Sequence, residues 1–233
     1  MGASVIGGRS DVARSVVLVH GAWHRASCWD KVTAGLRERG VPANAVDLPF
    51  QGLAADAAAA RAAIVAAGEG AIAVGHSYGG IVISTAASGL TNVGHLVYLC
   101  ALMLAEDDDL GALLSEHPMP LLASLRVEGE LTSIDPQGAV EVFYGDCTAA
   151  DTEAAVAQLR SMPMPAADVP VRPAWRDVTS TYVVCTDDAA IVPPMQRSMS
   201  RHASRVVEWP TSHSPFFSEP YRIVDLVARL AGV

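Results

Sequence analysis

Residues 75–79 read Gly75-His76-Ser77-Tyr78-Gly79, and they follow a short apolar run, Ala71-Ile72-Ala73-Val74. This is G-x-S-x-G at the end of an expected strand. A stretch rich in Ala, Ile and Val, from Gly80 to Ala87, follows as an expected helix. A serine on so sharp a strand-to-helix turn is pushed out of the sheet edge, and glycine at 75 and 79 lets the strained backbone pass close to its neighbours. The turn also leaves the backbone N–H of Tyr78 at a helix N-terminus, where it can donate to a developing oxyanion. Alone, the pentapeptide reads equally well as a surface loop. Set between a strand and a helix, it makes Ser77 a candidate nucleophile.

Upstream, Ser15-Val16-Val17-Leu18-Val19-His20 is continuously apolar and β-branched, as a buried parallel strand should be, and Gly21 stops it. Trp29 to Arg39 reads as an amphipathic helix ended by Gly40, Ala45 to Leu48 as a short strand, and Ala54 to Ala67 as an alanine-rich helix ended by Gly68. Downstream, His95 to Leu104 is a fourth apolar strand. The rhythm then breaks. From Ala105 to Asp177 there is no β-α repeat, prolines stand at Pro118, Pro120, Pro136, Pro163, Pro165 and Pro170, and helical patches lie near Leu110–Leu125 and Thr152–Arg160. A stretch of that length with its own helices reads as an inserted cap rather than a loop. Strands return at Thr181–Cys185 and Arg205–Trp209, with a helix opened by Pro193 or Pro194 and running through His202 between them. Phe217 to Leu230 is a final amphipathic helix. Strands alternating with helices imply a mostly parallel sheet of about six strands flanked by helices.

A nucleophilic serine needs a base, and the base needs an orienting acid. In an open parallel sheet these come from loops at the carboxyl ends of strands, which share one edge. Two such loops follow the inserted segment: Thr186-Asp187-Asp188 and Thr211-Ser212-His213-Ser214. The chain order is then Ser77, an aspartate, His213. From the residues alone Asp187 and Asp188 are equivalent candidates. Asp107, Asp108 and Asp109 follow the fourth strand and are a further option, though an acidic run is more often a solvated loop. Of the seven histidines, His95 begins a strand, His117 lies in the inserted segment and His202 near a helix end. His76 points away from the base position and is expected to pack or hydrogen-bond beneath the nucleophile. The first strand ends in His20-Gly21-Ala22-Trp23-His24, where Gly21 permits close backbone approach and Ala22 adds no bulk, so the Ala22 N–H is the candidate second oxyanion donor.

The segments VLVHGAWH (17–24), AVGHSYGG (73–80), LVYLCALM (96–103), VVCTDDAAIVPPMQRSM (183–199) and SHSPFFSEP (212–220) together resemble the α/β-hydrolase superfamily. More narrowly, they resemble its small esterase/hydroxynitrile-lyase branch, which includes plant methylesterases and bacterial homologues. VFYGDC (142–147) and LRSMP (159–163) resemble the bacterial members. The resemblance implies an α/β-hydrolase core at 1–104 and 178–233, with a helical cap at 105–177. It implies Ser77 as nucleophile, His213 as base, Asp188 as acid and the N–H groups of Ala22 and Tyr78 as oxyanion donors. The activity it implies is that of a serine carboxylesterase on a small, largely apolar ester, with no metal and no organic cofactor. Trp23, His24, Met119 and Leu122 are the candidate substrate contacts, and Leu113, Leu114, Leu121 and Met162 are further apolar cap residues. Hydroxynitrile lyases of this branch carry a lysine directly after the catalytic histidine. Here that residue is Ser214, which disfavours cyanohydrin cleavage. A lyase-like reaction on the same triad, or a small-ligand receptor on the same fold, is the rival reading.

The 233 residues include 51% hydrophobic and 18% charged residues, too apolar for a disordered chain. With 16 Lys+Arg against 25 Asp+Glu, the net charge of −9 argues against nucleic acid or anionic membranes as partners. No apolar run has the length of a membrane span, and Met1 to Ser15 lacks the apolar core of a secretory signal. Cys28, Cys100, Cys147 and Cys185 form no C-x-x-C pair, so reduced thiols in a cytoplasmic protein and no metal site are expected. The sequence sets no oligomeric state, and a homodimer is compatible with it.

Overall fold

Two hydrophobic clusters, one on each face of a parallel sheet, organise the chain. The computed structural model describes residues 13–164 and 170–233. Most of the Met1–Ser15 segment read above, and Pro165 of the inserted segment, lie outside the described residues. The chain runs β1 (Val16–Val19), α1 (Asp30–Glu38), β2 (Ala43–Val46), α2 (Leu53–Ala66), β3 (Ala71–His76), α3 (Gly79–Ala86) and β4 (Val93–Leu99). Between β4 and the next strand of this sheet come α4 (Leu110–Glu116), β5 (Leu125–Glu128), β6 (Leu131–Ile134), α5 (Pro136–Phe143), α6 (Ala149–Gln158) and β7 (Met162–Pro163). The chain then resumes with β8 (Ser180–Cys185), α7 (Pro193–Ser200), β9 (Arg205–Trp209), α8 (Pro215–Ser218) and α9 (Pro220–Ala231).

The main sheet has six strands in the order β2-β1-β3-β4-β8-β9, and every pairing in it is parallel. The continuous apolar strands bury both faces, as expected of parallel sheets. Val17, Val19, Ala73, Leu96, Tyr98, Tyr182 and Val184 face one cluster, and Val16, Leu18, Ile72, Val74, Val97, Leu99 and Val183 face the other. The second cluster is closed by α1 and by α9, whose Ile223, Val224, Leu226 and Val227 are buried. Each such side chain contributes roughly 1.5–3 kcal/mol of apolar transfer free energy. Strand order reverses between β1 and β3, so the loops after those two strands part there and open a crevice at the carboxyl edge.

Several boundaries differ from the sequence reading. β4 stops at Leu99 because Cys100 takes φ +37 and turns the chain out of the sheet. β2 is Ala43–Val46 rather than 45–48. The last helix is split at Glu219, ahead of Pro220. The helix expected over Leu110–Leu125 ends at Glu116, ahead of Pro118 and Pro120, and a short 3-10 turn occupies Pro120–Ser124. The inserted segment is also not purely helical. β5, β6 and β7 form a three-stranded antiparallel sheet, with Leu125 opposite Ile134 and a tight turn through Gly129 at φ +64. Its Ile134, Phe143, Tyr144 and Met162 join the same cluster as Val17 and Tyr78, so the segment is packed onto the sheet's own core.

Candidate active site

Ser77 lies between β3 and α3 with φ +53, a left-handed conformation rarely adopted outside glycine. Such strain costs on the order of 1–3 kcal/mol and persists only where the surroundings over-determine it. Here the Ser77 N–H donates to the Leu99 carbonyl at 3.2 Å, and the Ser77 carbonyl accepts from the N–H groups of Gly80 and Leu102, both at 3.0 Å. The glycines are required by contact: a Cβ on Gly75 would stand 2.5 Å from the Gly79 oxygen, and one on Gly79 would stand 2.6 Å from the Val19 oxygen. On the facing loop, a Cβ on Gly21 would meet Ser77 Cβ at 2.8 Å. That close approach brings Ala22 alongside the serine.

Ser77, Ala22 and Tyr78 share the wall of a cavity of about 150 Å³. Its remaining lining is apolar and includes Trp23, Leu102, Leu114, Met119, Leu122 and Ile191, and none of the lining residues among the described residues is charged. The Tyr78 hydroxyl is turned aside and donates to Asp56 Oδ2 at 2.8 Å. Of the four expected substrate contacts, Trp23, Met119 and Leu122 line this cavity. His24 does not: it is buried, its Nδ1–H donates to the Ala22 carbonyl at 2.8 Å, and its Nε2 accepts from the Tyr144 hydroxyl at 3.0 Å. Leu113 packs against the core, whereas Leu121 faces the cavity as well.

Asp188 and His213 meet at the carboxyl ends of β8 and β9. The His213 Nδ1–H donates to Asp188 Oδ2 at 2.7 Å, with side-chain exposures of 1% and 0%. Asp188 Oδ1 accepts the N–H groups of Ala190 and Ile191 at 2.7 and 2.9 Å, so both carboxylate oxygens are used. Asp187, its neighbour, is exposed. Asp108 accepts from the Ala105 N–H and Asp109 caps α4, so the acidic run after β4 serves its own loop. Among the described residues, no hydrogen bond joins Ser77 Oγ to His213.

Two partners of this group were missed in the sequence. Gln196, fully buried on α7, donates to Asp188 Oδ2 at 2.8 Å and accepts the Cys185 N–H at 2.9 Å. Its signal was a lone amide on an apolar helix face, between Met195 and Met199. Asp146, between α5 and α6, accepts the Ser212 N–H at 3.0 Å and also the Ser212 hydroxyl. Its signal was its place in VFYGDC (142–147), a stretch quoted above for its resemblance and given no role there.

Beneath the elbow the histidines are buried and neutral. His76 donates from Nε2 to the His213 carbonyl at 2.9 Å, as expected of a residue packed under the serine. Burial pushes His20 down to about 4 and His24 down to about 3, and it holds His76 well below the usual histidine range. His20 is fixed as one tautomer, since its Nε2 accepts the Leu48 N–H at 3.0 Å. The cysteines are free. Burial raises the Cys28 and Cys100 thiols well above their ordinary value and pushes Cys147 up to about 12, so these three are poor nucleophiles at neutral pH. His76, Cys100 and His213 bring ligand-type atoms within 4.8 Å of one another. Two of these residues also hold the His213 backbone: His76 Nε2 and Cys100 Sγ both donate to its carbonyl.

The chain resembles known proteins over nearly its whole length. It is 27% identical to the alpha/beta hydrolase nvfD of Aspergillus novofumigatus, covering 94% of this chain and 96% of the other. It is 29% identical to methyl jasmonate esterase 1 of Vitis vinifera, over 94% and 96% of the two chains. The crystal structure of a pyrethroid hydrolase from Sphingobium faniae superposes with a TM-score of 0.82 at 23% identity, covering 94% of this chain and 97% of that one. Residues 16–226 match the model of the alpha/beta hydrolase family, and the chain belongs to that family.

Proposed function

We propose that the protein is a serine carboxylesterase acting on a neutral, largely apolar ester, with residues 105–177 serving as the cap over its site. The observation that carries this reading is the buried His213–Asp188 pair at the same sheet edge as Ser77, whose strained backbone faces an uncharged cavity. The esterase name carried by a relative of similar length supports it.

Substrate enters with its carbonyl carbon over Ser77 Oγ. His213 Nε2 takes the serine proton as Oγ attacks. Asp188 keeps the other imidazole proton at Nδ1 and stabilises the imidazolium. The N–H groups of Ala22 and Tyr78 hold the tetrahedral oxyanion, each such donor being worth on the order of 3 kcal/mol of barrier. His213 returns the proton to the departing alcohol, leaving an acyl-Ser77 ester. Water, deprotonated by the same imidazole, then hydrolyses it. The balance is one ester and one water to one acid and one alcohol.

The lyase reading is weaker here. An anionic leaving group such as cyanide needs a cation or several donors in a buried site. Ser214 is fully buried and uncharged, and among the described residues the cavity wall carries no Lys or Arg. The discriminating experiment offers small esters and mandelonitrile-type cyanohydrins to one preparation, with Ser77→Ala as blank. Acid release that Ser77→Ala abolishes, without cyanide release, supports the esterase. Ser77-dependent cyanide release overturns it, and silence on both with saturable ligand binding favours a receptor.

A further inference from the structure

We infer that Asp146, contributed by the inserted segment, is a positioning residue for His213. This rests on the esterase reading for its kinetic consequence, but not for its structural one. The loop between β9 and α8 carries His213, and its Thr211 carbonyl is held by the Asp187 N–H at 3.1 Å. On one side the His213 carbonyl is held by His76 Nε2–H at 2.9 Å and by the Cys100 thiol at 3.4 Å. On the other side the hold comes from the α5–α6 corner. The two carboxylate oxygens of Asp146 take both donors of Ser212, the residue directly before His213, one from the backbone N–H and one from the hydroxyl. The Ser212 hydroxyl also reaches the Phe143 carbonyl at 3.2 Å. The Phe143 ring lies over the His213 imidazole, 5.5 Å between centroids and 28° between planes.

Asp146 does not line the cavity beside Ser77. Its effect therefore passes through the histidine loop rather than through substrate. Hydrogen bonds to a carboxylate are stronger than those to a neutral acceptor, and a pair of them from one residue fixes position as well as distance. With the tether removed, the imidazole keeps Asp188 and the loop keeps its bonds at the Thr211 and His213 carbonyls, but the Ser212 N–H loses its acceptor. A misplacement of about 1 Å at a reacting group can cost on the order of 100-fold in rate.

The test compares Asp146→Ala, Asp146→Asn and Ser212→Ala. The amide of Asp146→Asn retains an acceptor for the Ser212 N–H, and Ser212→Ala loses only the hydroxyl. Asp146→Ala is expected to lower kcat by about 10- to 100-fold with KM little changed. Asp146→Asn should recover most of that loss, with Ser212→Ala in between. The second readout needs no substrate: the low-field Nδ1–H resonance of His213, identified by its loss in Asp188→Ala, should broaden in Asp146→Ala and return in Asp146→Asn. Wild-type kcat together with an unchanged resonance in Asp146→Ala overturns the inference, as does a loss in KM alone. If the wild type hydrolyses no ester, the functional reading fails, and the resonance still decides the role of Asp146.

Discussion

Gln196 donates from Nε2 to Asp188 Oδ2 over 2.8 Å, the same oxygen that accepts the His213 Nδ1–H over 2.7 Å. A buried neutral amide from α7 thus fixes the carboxylate that orients the imidazole. Gln196→Leu removes that donor and leaves the buried Cys185 N–H without its side-chain acceptor. A buried group left unsatisfied costs about 1–3 kcal/mol. Urea denaturation should show a loss of that size, with a fall in kcat and KM retained. Stability within about 0.5 kcal/mol of wild type would contradict this role.

The proposed mechanism takes Asp188, bonded to His213, as its acid rather than Asp187. Asp188→Asn keeps the size of the side chain but favours the wrong imidazole tautomer, a change that lowers kcat by about 10⁴-fold in serine proteases. Asp187 is exposed, and Asp187→Asn should leave kcat at the wild-type level. Steady-state kinetics of the two variants on one ester check this directly, and a larger loss at 187 would reverse the assignment.

Stability should fall on the acid side. His20, His24 and His76 are held neutral in the fold by burial, at about 4, about 3 and well below the usual range. In the unfolded chain each takes up its proton near 6.5. The unfolded state therefore binds more protons as the pH drops, so stability is complete above about 6.5 and declines from there toward the lowered values. His20 and His24 each contribute a loss of about 2 kcal/mol by pH 5, and His76 adds to it in the same direction. Chemical denaturation at pH 7.5 and pH 5 measures the difference, and equal stability at both would mean these side chains are not held neutral.

Selectivity should follow the cavity. A void of about 150 Å³ lined by apolar side chains is of the size that admits a benzene-sized group. Rates in a homologous series of esters should rise up to an apolar arm of about six carbons and then level or fall. Leu114→Trp should shift the optimum to shorter arms. A free carboxylate on the arm would be buried unpaired, at a cost of several kcal/mol. Matched neutral and carboxylate-bearing esters should therefore differ in kcat/KM by at least about 100-fold. Equal turnover of the pair would show that the arm stays in solvent.

Much of this arrangement was legible in the sequence because its determinants are local. The serine turn announces itself through glycines that are required by contacts of 2.5–2.6 Å, the aspartate falls just after the buried strand β8, and the histidine falls in the loop after the edge strand β9. Elements set by tertiary contact were not legible. The apolar run His95–Leu104 reads as one strand, yet its second half is a buried loop turned at Cys100 by packing around Ser77. The β5–β6 hairpin carries a faint signal in Leu125-Arg126-Val127-Glu128 and the Gly129 turn, which a helical reading of Leu110–Leu125 obscured. Asp146 meets Ser212 across 66 residues, a separation that no periodicity reports. His24 follows Trp23 in the same loop, but the tyrosine of α5's end draws it into the core, away from the cavity.

The central claim is that Ser77 is the nucleophile, and covalent labelling tests it most directly. An organophosphonate ester of a small apolar alcohol should abolish activity at one equivalent, and peptide mass spectrometry should place the adduct on Ser77, with none formed in Ser77→Ala. An adduct on another residue, or undiminished ester turnover by Ser77→Ala, would contradict the account.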